Sequence, residues 1–247
     1  MIKLENLTKD FIRLRALDGL DLHVKKGEIF GFLGPNGAGK TTTIRLITGL
    51  LQPTFGRVII GGIDMAERPR HAKHQIGYVP DHPFLYDRLS GREFIEFQAQ
   101  LFLLKPDNFK PKLDELTDTL SMDEWLDERI ESYSRGMRQK IVMVSALIHD
   151  PQLIVLDEPL VGLDPKAAKN VKDILLRRSE SGTTIFFSTH TLSLAQEFCH
   201  NMAIINHGRL IAQGTYSELI EKQDPDLETA FLRLTEEPSE AEIQDGD

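Results

Sequence analysis

Nine residues, Gly34-Pro35-Asn36-Gly37-Ala38-Gly39-Lys40-Thr41-Thr42, constrain this chain more than any other stretch. They match the phosphate-loop pattern G-x-x-x-x-G-K-[ST] at every fixed position. The pattern carries chemistry only between a buried strand and a helix. Here Glu28-Ile29-Phe30-Gly31-Phe32-Leu33 precedes it and reads as such a strand, and Thr43-Ile44-Arg45-Leu46-Ile47-Thr48 follows and reads as a helix. Glycines at 34, 37 and 39 let the backbone turn tightly, so that successive amide N–H groups and the positive end of the helix dipole converge on one anion. Lys40 is then expected to bridge the β- and γ-phosphates, Thr41 to put its hydroxyl on Mg²⁺, and Thr42 to reach the α-phosphate. By itself the loop implies an NTPase of unspecified kind.

The rest of the chain reads as α/β. Residues 2 to 8 and 17 to 25 alternate apolar and polar with period two, which predicts two antiparallel strands ahead of the loop. Between them lies Lys9-Asp10-Phe11, whose aromatic ring is placed either to stack on a flat ring or to pack. Shorter strands are expected at 57–60 and 76–79. Helical periodicity then begins at Ser90-Gly91-Arg92-Glu93, which has capping-box spacing, and marks a helical lobe spanning about 82 to 150. Within it Pro106 and Pro111 are expected to break the chain, 112–120 to be amphipathic, and Trp125 to fill the lobe's core. Ser134 opens a long helix stopped by Asp150-Pro151. Strand and helix then alternate to about 223. Beyond it a helical extension to about Leu234 is expected, with an acidic, apolar-poor and unfolded tail to residue 247.

Composition excludes several classes. With 29 Lys+Arg against 38 Asp+Glu the net charge is −9, which leaves no electrostatic footprint for nucleic acid. No stretch approaches the apolar run that a spanning helix needs, and Met1-Ile2-Lys3-Leu4-Glu5 is no secretory leader. A single cysteine, Cys199, reads as a small core residue and fits a reducing compartment, so a cytoplasmic location is expected.

Carboxylates for the chemistry come from Leu153-Ile154-Val155-Leu156-Asp157-Glu158, a hydrophobic run ending in two acids. Such a run looks like a central parallel strand delivering carboxylates to its C-terminal edge. Asp157 fits the acid that holds Mg²⁺ through its water shell and Glu158 a general base. Both can act on one nucleotide only if the strand ends between them, an ending that Pro159 supplies. His190, closing Thr184-Ile185-Phe186-Phe187-Ser188-Thr189, is placed to polarise a γ-phosphate.

These motifs, in this order and spacing, resemble the ATP-binding subunits of ABC transporters over residues 1 to about 223. Gly162-Leu163-Asp164-Pro165 is similar to the family's D-loop, His190 to its switch histidine, and Phe11 to its adenine-stacking aromatic. Tyr133-Ser134-Arg135-Gly136-Met137 occupies the place of the signature L-S-G-G-Q and keeps its serine and second glycine. Asp81 stands where the family usually has glutamine, and an acid there can hold Mg²⁺ through water. The signature form and Asp81-His82-Pro83-Phe84-Leu85-Tyr86 resemble exporters whose membrane partner is a separate chain of the ABC-2 type.

The resemblance implies a phosphate-loop NTPase core of RecA-like kind with an antiparallel β subdomain and the helical lobe inserted. It also implies ATP and Mg²⁺ as cofactors and a second copy or a homologous ATPase subunit as partner. Ser134, Arg135, Gly136 and Met137 would close on that partner's nucleotide, while a polytopic membrane permease would hold the chain at the cytoplasmic face of the cell membrane. The rival is a soluble ABC-type ATPase of DNA repair, chromosome handling or translation. Those relatives carry heptad arms, metal-binding cysteines or two cassettes, none of which stands in this sequence.

Overall fold

The computed structural model describes residues 1–220, 224 and 226–235. In chain order it runs β1 (Ile2–Phe11), β2 (Leu14–Val24), β3 (Ile29–Leu33), α1 (Lys40–Ile47), β4 (Phe55–Ile60), β5 (Ile63–Asp64), α2 (Pro69–His74) and β6 (Ile76–Val79). Three helices follow, α3 (Gly91–Leu101), α4 (Pro106–Thr119) and α5 (Arg135–Leu147). The chain then returns through β7 (Leu153–Asp157), α6 (Pro165–Glu180), β8 (Thr184–Thr189), α7 (Leu192–Phe198), β9 (Asn201–Asn206), β10 (Arg209–Gly214), α8 (Tyr216–Leu219) and α9 (Leu227–Thr235).

Every residue of β3, β7 and β8 is buried, which a strand covered on both faces requires. These strands centre a six-stranded sheet of order β10-β9-β3-β8-β7-β6, parallel except for β10. A second, antiparallel sheet has order β2-β1-β4-β5. Its apolar face, with Ile2, Leu4, Leu22 and Val58, shares one core with Phe30, Phe32, Ile44 and Phe186. The Phe30 and Phe186 rings stack at 5.9 Å, an arrangement worth about 0.5–1.5 kcal/mol beyond the area it buries. On the sheet's other side, Ile29, Leu156 and Phe187 join the buried residues of α3 to α6 in a second core. The parallel register places Leu33 beside Thr189 and Asp157 beside Ser188, so the loops after β3, β7 and β8 leave from one edge.

The lobe between β6 and β7 is tied at one point by Tyr133. Its hydroxyl accepts the Gly91 N–H at 3.2 Å and lies 2.8, 3.2 and 3.1 Å from the carbonyl oxygens of Trp125, Leu126 and Glu128, one of which takes its proton. The Trp125 ring is half-buried and stands edge-on to Tyr133 at 4.9 Å. Ser90 caps α3 with a full capping box, as its spacing predicts.

Several boundaries differ from the sequence reading. β1 continues through Lys9-Asp10-Phe11, which therefore form no linker, because Lys9, Asp10 and Phe11 keep pairing with Leu17, Arg15 and Leu14. Pro106 starts α4 rather than breaking the chain, and Pro111 lies inside that helix. Its missing N–H costs one bond in the second turn, while Phe109, Leu113 and Leu116 bury one continuous stripe. β5 and α2, short and without strong periodicity, had no expectation attached. The helical extension holds as α9, and the acidic tail expected beyond it lies outside the described residues.

Candidate functional site

The phosphate loop leaves β3 and enters α1 at Gly39, whose φ of +110° is open to glycine and strained for other residues. A Cβ at Gly39 would also meet the Ala16 carbonyl oxygen at 2.8 Å, so the loop is packed down onto β2. Lys40 is only 9% exposed and points back into the loop. Its ammonium donates to the carbonyl oxygens of Gly34 at 2.7 Å and Pro35 at 3.0 Å. Burial pulls the Lys40 pKa down, against the carboxylates of Glu158 and Asp157, which pull it up.

Asp157 ends β7 across from this loop. Its Oδ2 accepts the Thr41 hydroxyl at 3.2 Å and its Oδ1 the Ser188 hydroxyl at 2.5 Å. Burial and the nearby Asp157 carboxylate push the Tyr78 phenol up to about 12, which keeps it neutral beside the acid. The strand ends where Pro159 predicts, but the turn is made by Glu158 itself, at φ +51°. This left-handed residue swings its carboxylate away from Asp157 and toward the end of β8. There Glu158 Oε1 accepts the His190 backbone N–H at 3.0 Å and lies 2.7 Å from His190 Nδ1, while Oε2 accepts the Thr189 hydroxyl at 3.3 Å.

Among the sequence-derived residues, the structure therefore joins Thr41 to Asp157 and Glu158 to His190, with Lys40 within electrostatic reach of both acids. Ser188 and Thr189 were missed as site residues. Their signal was the polar ending of an otherwise apolar strand. Thr42 is half-buried on α1, Asn36 and Gly37 are exposed, and nothing lies within 4 Å of where a Gly37 Cβ would stand, leaving the mouth of the loop open. An open backbone cradle, a lysine held over it and a hydroxyl facing a carboxylate are the donor set that a nucleoside triphosphate with Mg²⁺ takes. The residues present fit that group, in which the metal, when bound, neutralises charge on the phosphates.

Other residues lie apart from this cluster. The Phe11 ring is half-exposed at the end of β1, with the Lys9 ammonium 5.3 Å from its centroid. Ser134 caps α5, its hydroxyl accepting the Met137 N–H at 3.3 Å. Arg135 turns to Asp81, Nη2 to Oδ1 at 3.3 Å, and Gly136 abuts the Gly162 carbonyl, 3.0 Å from where its Cβ would be. Asp164 spends its carboxylate on the start of α6, accepting the Ala167 N–H at 2.9 Å.

Comparison with known proteins settles the lineage. The family described as "ABC transporter" matches residues 17–161, more than half of the chain. The chain belongs to the ABC transporter ATP-binding family. It is 40% identical over 211 residues to an uncharacterized ABC transporter ATP-binding protein of Nostoc, covering 85% of this chain and 62% of that one. It is 33% identical over 235 residues to the linearmycin resistance ATP-binding protein LnrL of Bacillus subtilis, covering 95% and 75%. A solved ATP-binding subunit of an ABC transporter superposes with a TM-score of 0.91 at 29% identity, covering 96% of this chain and 100% of that one. The fold is also that of a cassette solved as a dimer in a post-hydrolysis state with ADP and Pi, at 24% identity, a TM-score of 0.81 and coverage of 87% and 98%. The chain is thus an ATPase cassette of the transport family, and the rival reading in DNA repair or translation falls. No helix among the described residues is long and apolar enough to cross a membrane.

Proposed function

We propose that this chain hydrolyses ATP to power a separate polytopic permease of the ABC-2 exporter type, as a Mg²⁺-dependent dimer on the cytoplasmic face of the cell membrane. One observation carries the reading: Thr41–Asp157 and Glu158–His190 meet at a single sheet edge beside Lys40. Lys40 and the loop amides hold the phosphates, and Thr41 and Asp157 hold the metal. Glu158 accepts a proton from the attacking water, and His190 fixes the carboxylate that does so. Ser134 and the N–H groups that open α5 offer a second anion site for the nucleotide of the other copy. The resistance function named for LnrL supports export. Support for a permease contact comes from a strip of rings on the lobe, where Phe84, 86% exposed, lies 6.1 Å from Tyr86, itself 5.8 Å from Phe97.

Glu158→Gln tests the reading. It keeps size and removes the base, so turnover should fall by about two to four orders of magnitude while ATP binding survives. With ATP and Mg²⁺, but not with ADP, light scattering should show the variant shifting from monomer to dimer. A variant that hydrolyses normally and stays monomeric in every nucleotide state defeats both the base and the two-chain site. Replacing Phe84 and Tyr86 should abolish co-purification of the permease with ATP binding intact.

A further inference from the structure

Two departures from the usual family pattern touch each other. Asp81 stands for the expected glutamine and Arg135 for the first signature glycine, and their side chains form an ion pair, Nη2 to Oδ1 at 3.3 Å. The Arg135 stem also runs along Gly162, where a Cβ would come within 3.1 Å of Cδ and 3.2 Å of Nε. With φ at +85°, Gly162 supplies a turn that other residues strain to make. The pair thus binds together the loop after β6, the start of α5 and the loop after β7. The second oxygen of Asp81 takes His82, Nδ1 lying 2.9 Å from Oδ2.

Asp81 also lies at the sheet edge that carries the phosphate loop. β6 runs parallel to β7 with Val79 beside Leu156, so Asp81 leaves the sheet at the edge where Asp157 meets Thr41. One carboxylate therefore has Arg135 on one oxygen and His82 on the other, with a divalent ion that Thr41 and Asp157 would hold as a further claimant. The Arg135 and Asp81 side chains are 59% and 34% exposed. An exposed pair of this kind shifts an equilibrium by only roughly two- to fivefold, weak enough for a bound metal to displace.

We infer that Arg135 is a positioning residue that changes partners. Asp81 holds its guanidinium in the chain alone, and a divalent ion that Thr41 and Asp157 would hold would compete for that carboxylate, leaving the arm able to reach the phosphates carried by the second copy. Filling one loop thereby arms the signature that closes the other, which couples the two sites as a binding free energy. The inference rests on the two-chain site proposed above.

Two readouts in the Glu158→Gln background test it. In dilute monomer, the affinity for trinitrophenyl-ATP is measured with Mg²⁺ and with EDTA. Arg135→Ala should raise the ratio of the two affinities roughly two- to fivefold, because Asp81 then loses its competing guanidinium and keeps only His82, and should raise it not at all in an Asp81→Asn chain. At saturating Mg²⁺·ATP, light scattering should show Arg135→Ala needing about tenfold more protein to dimerise, with Arg135→Lys recovering most of the loss. An unchanged affinity ratio, or an equal rise in both backgrounds, overturns the exchange. A variant that dimerises like its parent overturns the phosphate contact. If the Glu158→Gln parent never dimerises, the two-chain reading itself fails, while the affinity ratio still decides whether Asp81 changes partners.

Discussion

Lys40 and Arg135 are both cations at the first residue of a helix, yet they are held by opposite means. Lys40 is buried and bonded to two carbonyls of its own loop, whereas Arg135 is exposed and held by one half-exposed carboxylate. The first arrangement is built from backbone and a packed core, which hold the loop and its lysine in place. The second rests on a surface charge pair that exchanges at little cost. The chain thus sets a buried, loop-bound cation against an exposed, exchangeable one, and the difference lies in burial rather than in residue type.

The sharpest way to break this contrast is Lys40→Ala. The loop loses its one buried side-chain cation, and with it charge-assisted bonding to the phosphates, so ATP affinity should fall about a hundredfold or more in a fluorescence titration. A loss under tenfold would make Lys40 no better placed than Arg135.

Next comes the far end of the lobe, at His149. The ring is buried against Phe102 with centroids 3.7 Å apart, Nε2 donates to the Ile76 carbonyl at 3.2 Å, and Nδ1 has no partner among the described residues. Burial pulls its pKa down to about 4. The folded state therefore favours the neutral ring, so its stability is full above the unfolded value near 6.5 and drains as pH falls from there to about 4. The loss should reach about 3 kcal/mol, and His149→Gln should flatten that part of the pH profile in chemical denaturation. An unchanged profile would show the seam between lobe and sheet to be as open as the Arg135 arm.

A smaller effect is expected from Tyr133→Phe, which strips the hydroxyl that serves Gly91 and the 125–128 turn. It should destabilise by about 1–3 kcal/mol, the usual cost of leaving buried backbone groups unpaired, with ATP affinity unchanged. The smallest belongs to Asp81→Gln, which removes the pair yet keeps a side chain able to reach the metal through water. Its ATPase rate should stay within about tenfold of the parent. A collapse of activity would mean that Asp81 is not an exchangeable surface partner.

How much of this was written in the sequence follows the same division. The phosphate loop, the β7 acids and His190 were legible because strand period and fixed motif spacing place them, and neither depends on distant side chains. Ser188 and Thr189 were hidden, since a polar strand end gains meaning only once the register puts it beside Asp157. The Glu158 turn was read from Pro159 as an ending, while its left-handed backbone, which aims the base at His190, is a tertiary choice. The Asp81–Arg135 pair spans 54 residues, and each member read alone looks like a tolerated substitution. Pro111 misled for the converse reason: a local rule against helix yielded to a buried stripe that only packing reveals.

The Tyr133 hydroxyl also has a mechanical meaning. It ties the first turn of α3, the 125–128 turn and the residue before Ser134 to one oxygen, so that these three points of the lobe move together. A displacement at Ser134 is therefore shared with α3 and its Phe97, while Phe84 and Tyr86 stand on the loop that joins β6 to the lobe, where the slack between lobe and sheet lies.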